Sequence, residues 1–238
     1  MNYIVMDLEW NQSYSGRMGE HPRMPFEIIE IGAVKVDKNY NIIDEYSSLI
    51  KPKIYKKLHT KIKSILNYNE ADLNDGRGFK EVCTEFLDWC GEDYMFCTWG
   101  PMDLTELQTN MDFYYMPRLP RPLKFLNLQQ IYAETVDTSG SAMSKLEKAV
   151  SDFHIPEDKP FHSAINDARY TALVLREMKP KNLKELYSFD LYLHPKTKDE
   201  EIVAIHNNQY EYISRDFPSK LDALDDKNVN AIRCYKCN

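Results

Sequence analysis

No apolar run in this 238-residue chain exceeds a handful of residues, well short of the roughly 20 needed to cross a bilayer as a helix. The N-terminus shows no basic leader ahead of an apolar stretch, and Asp7 interrupts the first apolar run. A secretory signal is therefore not expected, and a cytoplasmic protein is. Five cysteines (Cys83, Cys90, Cys97, Cys234 and Cys237) are too few and too scattered for a disulfide framework, so reduced thiols are expected. Positive charge is also short: 30 Lys and Arg against 37 Asp and Glu leave a net charge of −7. That counts against a module that only binds nucleic acid, because such affinity comes from neutralising phosphates. It counts less against a metal-dependent phosphodiesterase, whose bound ions offset the carboxylates and meet the phosphate themselves. No internal repeat or low-complexity tract is visible. What remains is ordinary soluble material, 43% hydrophobic and 28% charged, with length for one or two domains around a real core.

Apolar patterning gives an alternating order of elements. Tyr3–Met6 reads as a buried strand, Phe26–Val36 as a longer one and Asn41–Ile50 as a third, with Asp37–Asn41 suited to a hairpin. Phe79, Val82, Cys83, Phe86, Leu87 and Cys90 have helical spacing. A fourth strand follows at Tyr94–Trp99, then a helix from about Met102 to Met111 and a proline-enforced loop through Pro117, Pro120 and Pro122. Ser144 and Glu147 have capping-box spacing ahead of a helix running to Phe153. A last helix runs from Ala164 to Met178 and stops before Pro180. Antiparallel strands followed by strands separated by helices predict an α/β fold with a mixed sheet flanked by helices over residues 1–180. Residues 181–238, rich in Lys, Asp and Asn, read as a small C-terminal appendage.

Four acidic positions stand out. Alternation puts Asp7 and Glu9 on one face at the end of the first strand, and two adjacent carboxylates repel unless a cation holds them. Asp103 opens a helix just after a strand, and Asp167 lies in the first turn of the last helix. The plainer reading of both is a carboxylate favoured by the helix dipole. His162, alone, reads as a surface histidine.

Together these pieces resemble the three motifs of the DEDDh 3′→5′ exonuclease family, which includes RNase T and the proofreading subunits of bacterial DNA polymerases, within the RNase H-like superfamily. Asp-Leu-Glu-Trp at 7–10 resembles the first motif, 99–107 the second, and His162-Ser-Ala-Ile-Asn-Asp167-Ala the third. Residues 28–36, 125–132 and 145–155 are similar to family segments, so the likeness covers about residues 1–178. It implies a five-stranded RNase H-like sheet and release of nucleoside 5′-monophosphates from single-stranded RNA or DNA 3′ ends. Where the family often carries a Leu-Thr-Gly-Ile-like segment for the terminal nucleotide, this chain has Ile65-Leu66-Asn67-Tyr68. The glycine is absent and a tyrosine replaces the aliphatic residue.

An all-oxygen carboxylate set without cysteine favours Mg²⁺ or Mn²⁺ over zinc. Two such ions about 3.5–4 Å apart would clamp an in-line phosphoryl displacement. Asp7, Glu9, Asp103 and Asp167 are the expected ligands, with Asp7 bridging. His162 is the expected general base, since imidazole titrates near neutral pH. Trp10, Leu66, Tyr68 and Lys57 are the candidate substrate contacts; Lys57 belongs to a basic run of Lys51, Lys53, Lys56, Lys57, Lys61 and Lys63, which otherwise reads as solvated surface. Trp10 reads equally as a core residue. Cys234 and Cys237 have the spacing of half a zinc ribbon site, but no second pair exists, and His194 and His206 lack supporting spacing. A half-site completed in a longer protein is the alternative. Two further functions stand beside the exonuclease: a non-catalytic docking module on the same fold, and an endonuclease of the RNase H kind.

Overall fold

The computed structural model describes residues 1–66, 68–136, 144–180, 183, 186–206 and 209–230, without the side chains of 204–206 and 209–211. Strand β1 (Asn2–Gln12) pairs antiparallel with β2 (Phe26–Val36), which pairs antiparallel with β3 (Ile42–Leu49). The β2–β3 turn closes because Asp37 Oδ1 accepts the N–H groups of Asn39 and Asn41 at 2.8 and 2.9 Å. On the other side of β1, β4 (Tyr94–Thr98) and then β5 (Lys124–Asn127) add in parallel. The predicted mixed sheet is thus present, and β6 (Ser188–Phe189) adds a sixth strand to the five expected, giving the order β3-β2-β1-β4-β5-β6. Two residues leave no periodicity to read, and β6 exists because β5 offers it an edge.

Two layers cover the sheet. Ile4, Met6 and Leu8 of β1 pack with helices α3 (Phe79–Cys90) and α4 (Met102–Phe113). Tyr3 and Val5 face the opposite layer, built from α5 (Leu128–Thr135) and α7 (Ala164–Met178). Short helices α1 (Thr60–Ile65) and α2 (Glu70–Asn74) follow β3, and α6 (Leu146–Asp152) packs beside α7. Burying each large core side chain is worth about 1.5–3 kcal/mol, enough in sum to hold charged groups where burial alone would reject them. Leu183, Leu186 and Tyr187 extend the α7-side core, so the first residues past Pro180 pack on the sheet. Beyond them β7 (Ile202–His206) and β8 (Gln209–Ile213) form a separate hairpin, followed by α8 (Lys220–Asp225).

The structure departs from the sequence reading in three places that bear on the site. β1 does not end at Asp7–Glu9 but pairs with β2 as far as Gln12, with Asn11 buried beyond the acidic pair. The Ser144–Glu147 capping box does not form: α6 starts at Leu146 without a side-chain cap. The Ser144 carbonyl instead accepts Trp99 Nε1 and Gln129 Nε2, both at 3.0 Å. The Lys51–Lys63 run is a loop only as far as His59; α1 takes the rest, with His59 as its N-cap. Cys83, Cys90 and Cys97 are buried free thiols. Among the described residues no helix is long and apolar enough to cross a membrane.

Candidate active site

Strand alternation places the first carboxylates. Tyr3 and Val5 face α7, so Asp7 and Glu9 continue that face toward the end of β1 where α7 begins. One glycine makes the approach possible. Gly32 is the β2 partner of Asp7, and a Cβ there would lie 2.1 Å from Ala164 C and Ile165 N. No side chain fits, so the first turn of α7 rests directly on the sheet. Ala164, Ala168, Thr171 and Ala172 carry the contact with small side chains, and Asp167 lies within that buried stripe.

The loop before α7 is equally constrained. His162 adopts a left-handed backbone (φ 64°), tolerated by few residues other than glycine. Its N–H donates to Asp167 Oδ2 at 3.0 Å, which ties the loop to the helix. The imidazole is exposed, and Glu9, His162 and Asp167 each bring one donor atom within 4.8 Å of the others. Asp103 arrives from the opposite layer, in the first turn of α4 after a tight turn at Gly100 (φ 103°), a backbone conformation that favours glycine. Its Oδ1 accepts the Leu8 N–H at 3.1 Å, between the two β1 carboxylates. All five predicted chemical residues therefore gather around Asp7–Glu9 of β1, where α7 begins. An open cleft of about 340 Å³ there is lined by Asp7, His162 and Asp167, with Trp99, Leu146 and Phe161 as its apolar wall.

The electrostatics are those of a site short of positive charge. Burial, then the charges of Asp103, Glu9, Asp167 and Glu30, hold the Asp7 carboxyl well above the usual aspartate range, although the residue keeps partial exposure through the cleft. Burial and Asp167 push Glu9 up to about 8. Burial raises Asp103 to about 7 against the opposing Leu8 hydrogen bond, and burial raises Asp167 to about 7 against the His162 N–H. None of the four makes an ion pair with Lys or Arg among the described residues, and Asp167 Oδ1 is buried without a hydrogen-bond partner. An orphaned buried oxygen among crowded carboxylates fits hard divalent cations.

The candidate substrate contacts are less uniform. Trp10 packs on the α3–α4 face of β1, tilted against Phe26 at 6.1 Å between ring centroids, and Trp99 and Phe161 line the cleft instead. Leu66 and Tyr68 pack around Ile29, Leu58 and Leu73, and the Tyr68 hydroxyl is buried beside the Glu30, Glu9 and Asp7 carboxylates. Asn67, Cys234 and Cys237 lie outside the described residues, as does the His206 side chain; His194 Nε2 is 3.2 Å from Asp216 Oδ2. Lys57 Nζ stands 3.7 Å over the Tyr14 ring.

Sequence reasoning missed Glu30 and Glu147. Glu30 pairs with Glu9 across the ladder, and its carboxylate accepts Ser163 Oγ at 3.3 Å and the backbone N–H groups of Ala164 and Ile165, capping α7 in place of Ser163. The signal was a lone acid inside the otherwise apolar stretch 28–34. Glu147 lines the cleft and adds negative charge near Asp167. A larger hollow of about 530 Å³ lies away from the carboxylates, between Arg121, Asp190 and Glu201, and holds none of these groups.

A family model described as an exonuclease of the RNase T type matches residues 4–175. The chain belongs to this exonuclease family. Across 168 residues it is 26% identical to a probable 3′-5′ exonuclease, KapD, of Bacillus subtilis, covering 69% of this chain and 78% of that protein. Its fold is that of the nuclease domain of 3′hExo, a DEDDh family member solved bound to rAMP: TM-score 0.65 at 18% identity, over 77% of this chain and 94% of that one. Schizosaccharomyces Pop2p (S. pombe), solved in a Mg²⁺- and Mn²⁺-bound form, aligns with TM-score 0.58 at 14% identity over 78% of this chain and 87% of that one. This exonuclease is a hydrolase on an RNase H-like fold, and the DEDDh family to which it belongs generally uses divalent metals.

Proposed function

We propose that the cleft removes nucleoside 5′-monophosphates one at a time from the 3′ end of single-stranded RNA or DNA. The observation that carries this reading is that Asp7, Glu9, Asp103 and Asp167, none ion-paired with Lys or Arg among the described residues, gather with the exposed His162 imidazole beside one open cleft. Asp7, Glu9, Asp103 and Asp167 would hold two Mg²⁺ or Mn²⁺ ions. Bound there, they would supply stabilisation of the charge that develops on the phosphoryl oxygens.

The remaining work falls to the chain itself. His162 accepts a proton from the attacking water as its oxygen bonds to phosphorus. The P–O3′ bond breaks, and solvent protonates the departing O3′ to leave a new 3′ hydroxyl. Asp167 holds the histidine's backbone in its left-handed turn, and Glu30 fixes the helix end that carries both. Trp99 and Phe161 offer the terminal base an apolar wall, while Tyr68 sits beside the Glu30, Glu9 and Asp7 carboxylates.

The test is digestion of a 5′-labelled single strand with Mg²⁺ and with EDTA. A ladder of successively shorter labelled products that vanishes in EDTA is expected. Internal cuts would establish an endonuclease instead, and no products a docking module.

A further inference from the structure

Beyond the acidic pair, β1 runs into a surface of opposite character. Residues 51–63 contain six lysines and no acidic residue in a chain of net charge −7. Lys53 Nζ stands 5.6 Å over the Tyr114 ring and Lys57 Nζ 3.7 Å over Tyr14. Arg23 lies 5.2 Å over Tyr115 and donates to its hydroxyl at 3.1 Å. Tyr14 is 50% and Tyr115 79% exposed, so rings as well as cations are presented to solvent.

Buried polar groups hold this surface rigid. Asn11, fully buried two residues past Glu9, donates to the Tyr55 and Lys57 carbonyls at 2.8 and 3.0 Å and accepts the His59 N–H at 3.0 Å. The Glu27 carboxylate, 2% exposed, accepts the N–H groups of Lys53, Ile54 and Tyr55 at 2.6–3.1 Å. The Tyr55 hydroxyl donates to the Met24 carbonyl at 2.9 Å and accepts the His21 N–H at 2.8 Å, joining the loop after β1 to the loop after β3. Burying a carboxylate and an amide is costly without such partners. Here both are used to fix the backbone of the loops that carry Lys53 and Lys57.

Resting on the exonuclease reading, we propose that Tyr14, Arg23, Lys53, Lys57, Tyr114 and Tyr115 form a platform for the body of a single-stranded nucleic acid, several nucleotides from its 3′ end. Fixed cations beside exposed rings suit a flexible polyanion with unstacked bases, which pairs phosphates with the cations and bases with the rings. Asn11, which holds the Lys57 carbonyl, lies about 7 Å along β1 from Glu9, so the loop that carries Lys53 and Lys57 is anchored on the same strand as the acidic pair. A net-acidic exonuclease thereby grips its substrate away from its own carboxylates.

Fluorescence anisotropy in EDTA reads the platform without turnover, using 5′-fluorescein single strands of 3 and 12 nucleotides and a blunt 12-base-pair duplex. Wild type is expected to bind the 12-mer at least tenfold more tightly than the 3-mer. In K53A/K57A the gain with length should disappear, and the slope of log Kd against log salt should fall by about 1.4, at about 0.7 per cation. Y14A should weaken 12-mer binding by about five- to a hundredfold, the worth of one stacked base. Unchanged length dependence and salt slope in both variants would overturn the platform, and so would equal affinity for the duplex. Mononucleotide release in Mg²⁺ is scored separately. Strand binding without release supports the platform and removes the exonuclease reading; release with length-independent binding does the reverse.

Discussion

Replacing Asp167 with asparagine should stabilise the metal-free protein while abolishing its activity. Burial, then the nearby Glu147 and Glu30 charges, lift this carboxyl from 3.8 to about 7 despite the His162 N–H. The difference corresponds to about 4 kcal/mol. Because the folded state holds this proton more tightly than the unfolded chain, the group's favourable contribution is complete below pH 3.8, falls as pH rises, and is lost above about pH 7. Asparagine keeps an oxygen for the His162 N–H and leaves no charge to bury. Its advantage should be absent near pH 3, grow through the window, and approach about 4 kcal/mol at pH 8. For a chain of this length that is a rise in melting temperature of about 10 °C. The assay is differential scanning calorimetry in EDTA between pH 4 and 8, repeated with excess Mg²⁺. Each ion at a hundredfold excess over its Kd should return about 2.7 kcal/mol to the wild type and little to the variant. An Asp167→Asn protein that melts lower than wild type at pH 8 in EDTA would refute the view that this cluster is held in electrostatic debt.

Three other outcomes are expected. His162→Asn, chosen because asparagine tolerates the left-handed backbone, should lose turnover by about 10²–10⁴-fold, recover part of it as solvent hydroxide rises toward pH 9, and keep metal affinity; calorimetry showing metal loss like that of Asp7→Asn would make His162 a ligand. Gly32→Ala should cost about 1–3 kcal/mol and at least tenfold in rate, since its Cβ would sit 2.1 Å from the α7 backbone, and a wild-type melting curve would contradict the close packing. A 3′ phosphate on the strand should slow degradation while a 5′ block does not; equal sensitivity at both ends would reverse the assigned polarity.

Much of the fold was legible because periodicity is local. β2 spans Phe26–Val36, α3 Phe79–Cys90 and α7 Ala164–Met178, the limits their apolar spacing marks out. Elements whose existence depends on a distant partner were not legible. The capping box did not form: α6 takes Lys145 as its N-cap, while the Ser144 carbonyl accepts Trp99 and Gln129 from other elements. α1, α2 and β6 are too short to carry a period of their own.

The site divides in the same way. The sequence by itself picked out the candidate chemical groups: Asp7, Glu9, Asp103, His162 and Asp167 stand in the order and spacing of the family motifs they resemble. Only the tertiary structure decided how they meet and what surrounds them. Gly32 lets α7 settle over Asp7, Glu30 replaces Ser163 as the helix cap, and Trp10 turns to the α3–α4 face while Trp99 and Phe161 wall the cleft. A motif records what each side chain can do, whereas close approach, capping and facing depend on residues brought together from opposite ends of the chain.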